Sequence, residues 1–464
     1  MITQVTRRAL LLGITAAVLL SGCASDPRTA LPPPIVFVHG NGDTAALWIT
    51  TLWRFESNGW PRERLYAIDL PYPLARDADD VPQAGRTSTD EHMRFLAAEI
   101  DRVLRRTGAH QVVLFGNSRG GNAIRNYIAT PASAGGGAAK VSDAILGGAL
   151  NHGAWANPDT RPTNEFNGAG PFLTRLNNQG GAGIEITPGV RWLTIRSDNN
   201  DKFAQPDGEW IGAKGTPTHV TFDGPELKGA TNVVITGIDH RETAYSPQAF
   251  EAAYRFITGK APATLAITPM ASVVLDGKAS GRGLDNDPAT GCFENNLALR
   301  GASVEVFATD PATGARAGAR VHRKTVGADG RWGPFSADGR RSYEFVISAS
   351  GYATTHIYRS PFPRSSDIVN LRAECLPDAD RRFIAVVTLI RPRGYFDPRH
   401  AHISLDGKAP VLAVPTGAAG VWALRAEVQD TPGRSVPAEF DGEHVVGRAW
   451  PTAGNHVVLL ELHY

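Results

Sequence analysis

Gly116-Asn117-Ser118-Arg119-Gly120 stands between an apolar run at 112–115 and a helix-forming stretch at 121–128, and no other segment restricts the fold as much. A G-x-S-x-G pattern in that setting is a sharp corner from strand to helix. Its glycines permit strained backbone and close approach of helix to strand, and the corner lifts the serine hydroxyl out of the sheet. The surrounding region, 35–259, has the grammar such a corner needs. Short apolar runs at 35–38, 65–68, 112–115, 144–146, 192–195 and 233–235 read as buried strands. They alternate with amphipathic stretches, the pattern of βα units around a mainly parallel sheet. Residues 88–106 read as a helix, with Met93, Leu96, Ile100, Val103 and Leu104 on one face, Ser88 and Glu91 as a capping box, and Gly108 as the stop. Ser246-Pro247 opens a last helix whose Phe250, Tyr254 and Ile257 share a face, and Gly259 closes it.

After Gly259 the grammar changes. Residues 260–264 read as a linker, and helical periodicity is absent beyond it. Segments at 303–308, 343–349, 383–389 and 456–462 are separated by Gly, Pro, Asp and Asn turns, which predicts an all-β half built as sandwiches or small barrels. A break at Leu376-Pro377-Asp378-Ala379-Asp380 divides that half into two expected modules, 265–376 and 382–464, behind a first domain at 31–260.

A serine hydroxyl becomes a useful nucleophile when a histidine accepts its proton and a carboxylate fixes that histidine's tautomer. Of thirteen histidines, His240 is the only one that follows a predicted strand and precedes the last helix of the first domain. His152 and His219 also lie downstream of Ser118 but read as structural or surface groups. For the acid, the strand at 192–195 runs into a loop holding Asp198 and Asp201. Either could turn back toward His240; Asp201 is favoured because Asp201-Lys202-Phe203-Ala204 resembles the D-x-x-V/A stretch that follows the acid in α/β hydrolases, and Asp198 reads as a turn residue. Asp239 adjoins His240, and adjacent side chains diverge. Upstream, His39-Gly40-Asn41-Gly42 ends the first strand, where a backbone N–H can point at a developing oxyanion. Asn41 and Arg119 are the expected N–H donors. The order Ser118, Asp201, His240 is the order of the α/β-hydrolase triad.

The N-terminus reads as an address. Arg7-Arg8 precedes an apolar run at 9–20 that is short for a membrane span, and Leu20-Ser21-Gly22-Cys23 resembles a bacterial lipobox, in which the cysteine is lipidated. Residues 1–22 are therefore expected to be a signal peptide and Cys23 an anchor in the cell envelope, with twin-arginine export compatible with the arginine pair. The alternatives are an ordinary signal peptide or an uncleaved hydrophobic helix. An exported chain meets oxidising conditions, so a Cys292–Cys375 disulfide is expected. With 47 Lys and Arg against 46 Asp and Glu, the net charge of +1 gives no electrostatic reason to bind nucleic acid. P-loop, G-x-G-x-x-G, CxxC and HExxH patterns are all lacking, so no cofactor or metal is expected.

Residues 35–259 resemble the small, nearly lidless bacterial triacylglycerol lipases of the α/β-hydrolase superfamily. The resemblance rests on Val38-His39-Gly40-Asn41-Gly42, Gly116-Asn117-Ser118-Arg119-Gly120-Gly121, Leu146-Gly147-Gly148-Ala149-Leu150-Asn151-His152-Gly153 and Asn232-Val233-Val234-Ile235-Thr236-Gly237-Ile238-Asp239-His240. It implies that the stretch 164–177, with Phe166, Phe172 and Leu176, lines the acyl site. The elbow departs from that family, which carries histidine and an apolar residue where this chain has Asn117 and Arg119; Arg119 is expected to set a charge near the substrate mouth. The region 265–373 resembles the transthyretin-like modules of carboxypeptidases, through Gly301-Ala302-Ser303-Val304-Glu305-Val306, Asp329-Gly330-Arg331-Trp332-Gly333-Pro334-Phe335 and Tyr343-Glu344-Phe345-Val346-Ile347. The layout also resembles archaeal lipases whose β domain helps bind lipid; a passive spacer is the alternative. Together the resemblances imply an exported, membrane-anchored lipase or esterase acting on ester or lipid substrates through Ser118, Asp201 and His240. A polyester depolymerase and a non-catalytic surface lipoprotein are the two rival readings.

Overall fold

The structure, a computed structural model, describes residues 31–179, 181, 183–211, 213–281, 295–409 and 420–464. Its first layer is a sheet of six parallel strands: β1 (Ile35–Val38), β2 (Leu65–Ile68), β3 (Val112–Asn117), β4 (Val141–Gly147), β5 (Arg191–Ser197) and β6 (Thr231–Ile235). They lie in the order β2-β1-β3-β4-β5-β6. Parallel neighbours need crossovers, and α1 (Ile49–Ser57), α2 (Thr89–Thr107), α3 (Arg119–Ala129) and α4 (Pro171–Leu176) lie in them, while α5 (Glu242–Tyr245) and α6 (Pro247–Thr258) follow β6. Strand residues alternate between the two faces. Ile35, Phe37, Phe115 and Ile145 pack with α1 and α6, while Val36, Val38, Leu114 and Leu146 pack with α2 and α3. This is the α/β-hydrolase fold.

The helix ends follow the sequence. Ser88 and Glu91 form the capping box of α2, and Gly108 takes the left-handed conformation at its end. Ser246 caps α6 and Gly259 ends it in the same way. One strand departs from expectation. β6 was expected to be buried, but it is the edge strand; Val234 is 47% exposed, because only β5 pairs with it.

The C-terminal region is built mostly from strands in several sheets. The largest has seven: β7 (Ser303–Thr309), β8 (His322–Thr325), β9 (Ser342–Ser348), β10 (Thr354–Arg359), β11 (Ala385–Ile390), β12 (Ala423–Val428) and β13 (His456–Glu461), in the order β8-β7-β9-β10-β13-β11-β12. The final strand β13 runs parallel to both β10 and β11 and lies between them. One sheet thus crosses the break at 376–380 that the sequence suggested as a module boundary. The reason is long-range pairing, which leaves no local mark.

The β half also packs on the hydrolase part. Trp53 of α1 donates its indole N–H to Ser365 O (2.9 Å), Arg54 Nε donates to Leu265 O (3.1 Å), and Asn58 exchanges hydrogen bonds with Thr264. One apolar cluster runs from Phe37, Trp53 and Phe250 into Val304, Trp332 and Phe345. Among the described residues, no helix is long and apolar enough to cross a membrane.

Candidate active site

β3 ends in the corner that carries Ser118. The backbone there has φ 52° and ψ −125°, a conformation that a residue with a Cβ adopts only when its surroundings enforce it. Ser118 N–H donates to Gly147 O on β4, and Gly121 N–H donates to Ser118 O, each at 2.9 Å. The flanking glycines are required by space. A Cβ on Gly120 would lie 2.3 Å from Val38 O, one on Gly116 would lie 2.7 Å from Gly120 C, and one on Gly40 would lie 3.1 Å from Ser118 Cβ. Strand, corner and helix therefore pack backbone against backbone.

His240 lies in the loop between β6 and α5. Its Nδ1 is 2.9 Å from each carboxylate oxygen of Asp201, which follows β5, and both side chains are buried. Asp201 Oδ1 also accepts Phe203 N–H at 2.9 Å, and the Phe203 ring stands edge-on to the imidazole with 4.7 Å between centroids. His240 Nε2 is buried and has no hydrogen-bond partner among the described residues. It lines the same cavity as Ser118. Asp198 is occupied elsewhere: its Oδ1 accepts N–H bonds from Asn199 (2.7 Å) and Gly237 (3.1 Å), which ties the β5 loop to the β6 loop.

Asn41 lines the cavity beside Ser118, and its Oδ1 accepts Ala75 N–H at 2.7 Å, which pins the loop after β1. Arg119 is the first residue of α3, so its backbone N–H has no acceptor within the helix. Its side chain corrects an expectation. The guanidinium is fully buried, pairs with Glu165, and donates to Pro73 O (3.0 Å) and Thr87 O (2.5 Å); it sets no charge at the substrate mouth. Burial pushes the Glu165 carboxyl up to about 7 although Arg119 pulls it down. Asn117 is the other departure at the elbow. Its amide donates to Gly147 O (3.1 Å), His240 O (3.2 Å) and Thr243 Oγ1 (3.2 Å), and so joins the serine corner to the histidine loop.

The cavity has a volume of about 380 Å³. Leu150, Ala154, Trp155, Phe166, Phe203 and Ile211 give it an apolar wall, and Asp43, Arg161, Lys202 and Arg241 bring charge to it. Lys202 Nζ sits 4.3 Å from the Tyr395 ring centroid and 4.8 Å from that of Phe203, and burial draws its ammonium down to about 8. Two lining residues, Tyr395 and Trp422, come from the β half. Sequence reading missed both, since no local pattern tells a loop of a distant β segment that it will meet a hydrolase cavity. Phe166 is at the cavity as expected, whereas Phe172 and Leu176 face α3 and pack with Ala129. The helical spacing of α4 turns them inward.

His152 bonds Gly224 O (2.8 Å) and Glu185 (3.1 Å), away from Ser118. Cys23 and Cys292 lie outside the described residues, so the lipidation and disulfide expectations do too; Cys375 is half-buried. Among the described residues no three His, Cys, Asp or Glu side chains are grouped to hold a metal ion.

Two family models match the chain. The α/β hydrolase fold matches residues 33–162, and the lipase C-terminal domain matches residues 271–376. Among solved structures, a Bacillus licheniformis lipase in its propeptide form is 15% identical, with 91% of this chain and 93% of that chain covered and a TM-score of 0.37. The mature form of that lipase is 20% identical over 50% of this chain and 94% of its own, with a TM-score of 0.36. Carboxylesterase CesB of Bacillus subtilis is 15% identical over 49% of this chain and 85% of its own, with a TM-score of 0.28.

Proposed function

We propose that this chain, with its α/β-hydrolase fold and a C-terminal region matched by the lipase C-terminal domain, is an exported serine hydrolase that cleaves carboxylic esters through an acyl-enzyme. Ser118 Oγ attacks the ester carbonyl while His240 Nε2 takes its proton, and Asp201 holds the imidazole through Nδ1 and stabilises the imidazolium. The backbone N–H groups of Asn41 and Arg119 receive the oxyanion. The carbonyl carbon–alkoxy bond then breaks and the alcohol leaves with the proton from His240. Water repeats the sequence on the acyl-enzyme, with His240 taking its proton, and releases the carboxylic acid and Ser118.

One observation carries this reading: the buried Asp201–His240 pair, at 2.9 Å, leaves His240 Nε2 without a partner among the described residues, in a ring that lines the same cavity as a strained serine. The apolar wall supports an acyl chain or another apolar ester group as the bound part. Export and a lipid anchor at Cys23 are supported by the arginine pair, the short apolar run and the lipobox-like residues ahead of it. Labelling of the whole chain by a fatty acid in cells, lost in Cys23→Ala, is the check on the anchor.

The test of the activity is hydrolysis of nitrophenyl esters from short to long acyl chains by protein lacking residues 1–23. Ser118→Ala should lower turnover by about 10³-fold or more without loss of fold. Retained turnover in that variant would remove Ser118 from the chemistry. An optimum at long chains would make the enzyme a lipase, and one at short chains an esterase.

A further inference from the structure

His240 is flanked by two residues that are both tied to the β half. Asp239, fully buried, accepts Tyr395 N–H (2.7 Å) and Arg391 Nη1 (3.2 Å) on Oδ2, while its Oδ1 accepts the N–H groups of Arg241 and Glu242 at 2.8 Å each. Arg241, on the other side of His240, donates from Nη1 to Pro392 O at 3.0 Å. The second nitrogen of Arg391 reaches Glu242 Oε1 (2.7 Å) and the Tyr245 hydroxyl (2.8 Å), at the two ends of α5. One segment of the β half, 391–395, immediately after β11, thus grips residues 239, 241, 242 and 245. The same segment adds Tyr395 to the cavity wall.

Such a network is costly to bury. Apolar residues of equal volume commonly stabilise a fold as well as a buried ion pair does, so what the charges supply here is defined geometry. The planar fork of arginine serves two carboxylates at once, which a lysine point charge does not. Burial and the neighbouring Glu242 push the Asp239 carboxyl up to about 7, and Arg391 is the charge that draws it back. The catalytic steps proposed above use none of these groups, yet they depend on where His240 Nε2 stands.

We infer that Arg391 is a positioning residue for His240, and that the C-terminal β half completes the active site by clamping the loop that carries the histidine. The inference rests on the serine-hydrolase reading. Its test uses the full chain with Arg391→Met and Arg391→Lys, a short nitrophenyl ester, and proton NMR of ¹⁵N-histidine-labelled protein to follow the His240 Nδ1 proton held by Asp201. Arg391→Met should lower kcat about 10²-fold with KM changed less than threefold, and should broaden or remove the His240 resonance. Arg391→Lys, which keeps the charge, should fold and recover part of both. Either variant, shown folded by circular dichroism, with kcat/KM within twofold of the parent and an unchanged His240 resonance would overturn the clamp. If the parent chain shows no Ser118-dependent turnover, the serine-hydrolase reading fails, and the His240 resonance alone still decides whether Arg391 fixes that loop.

Discussion

Asp198 and Asp201 are three residues apart on one loop, and their oxygens are spent differently. Asp198 closes the loop through backbone N–H groups, and Asp201 meets His240. Asp201→Asn should therefore cost about 10³- to 10⁴-fold in kcat, because an amide stabilises the wrong imidazole tautomer. Asp198→Asn should cost only a few-fold; the comparison is made with a single nitrophenyl ester at neutral pH. Lys202 adds a pH dependence. Burial, with Arg241 acting in the same direction and Asp239 and Asp201 against it, places its titration at about 8, so the cavity loses a positive charge as pH rises through that value. For an ester carrying a free carboxylate, kcat/KM relative to a neutral ester of equal length should fall between pH 7 and 9. Lys202→Met should flatten that ratio; a ratio already flat in the parent would remove Lys202 from substrate contact.

At the scale of elements, the corner from β3 to α3 is held by contacts too close for any side chain. Gly120→Ala would bring a methyl to 2.3 Å from Val38 O on β1, and neither backbone can yield without separating helix from sheet. The variant should lose about 3 kcal/mol of stability, read as a lowered urea midpoint, and should displace Ser118. This corner was legible because strand, glycines and helix are contiguous. The α2 helix was legible for the same reason: its apolar face, its Ser88–Glu91 box and its Gly108 stop all lie within about twenty residues of each other. The exposure of β6 was not, since an edge strand and an inner one differ only in what pairs beside them. The placing of Phe172 and Leu176 failed similarly, for their apolar character fits a core as well as a substrate wall.

In the whole molecule the hydrolase part and the β half share one apolar cluster, and Tyr395 and Trp422 reach the cavity that Ser118 lines. Ending the chain at residue 260 would uncover Trp53 on α1, cut the bonds to Leu265 and Ser365, and remove both Tyr395 and Arg391. The shortened protein should unfold at lower temperature in calorimetry and lose turnover of soluble esters as well as insoluble ones. A β half that served only for adhesion would leave soluble turnover intact. The sequence by itself determined the βα order, the serine corner, the histidine after β6 and the preference for Asp201, because each is written in neighbouring residues or in their order along the chain. Only the tertiary structure decided that Arg119 is buried against Glu165, that Tyr395 and Trp422 wall the cavity, and that Arg391 holds the histidine loop. Those facts rest on side chains from segments 46 or more residues apart that meet through packing and sheet pairing, and contacts of that range leave no periodicity or motif in either partner.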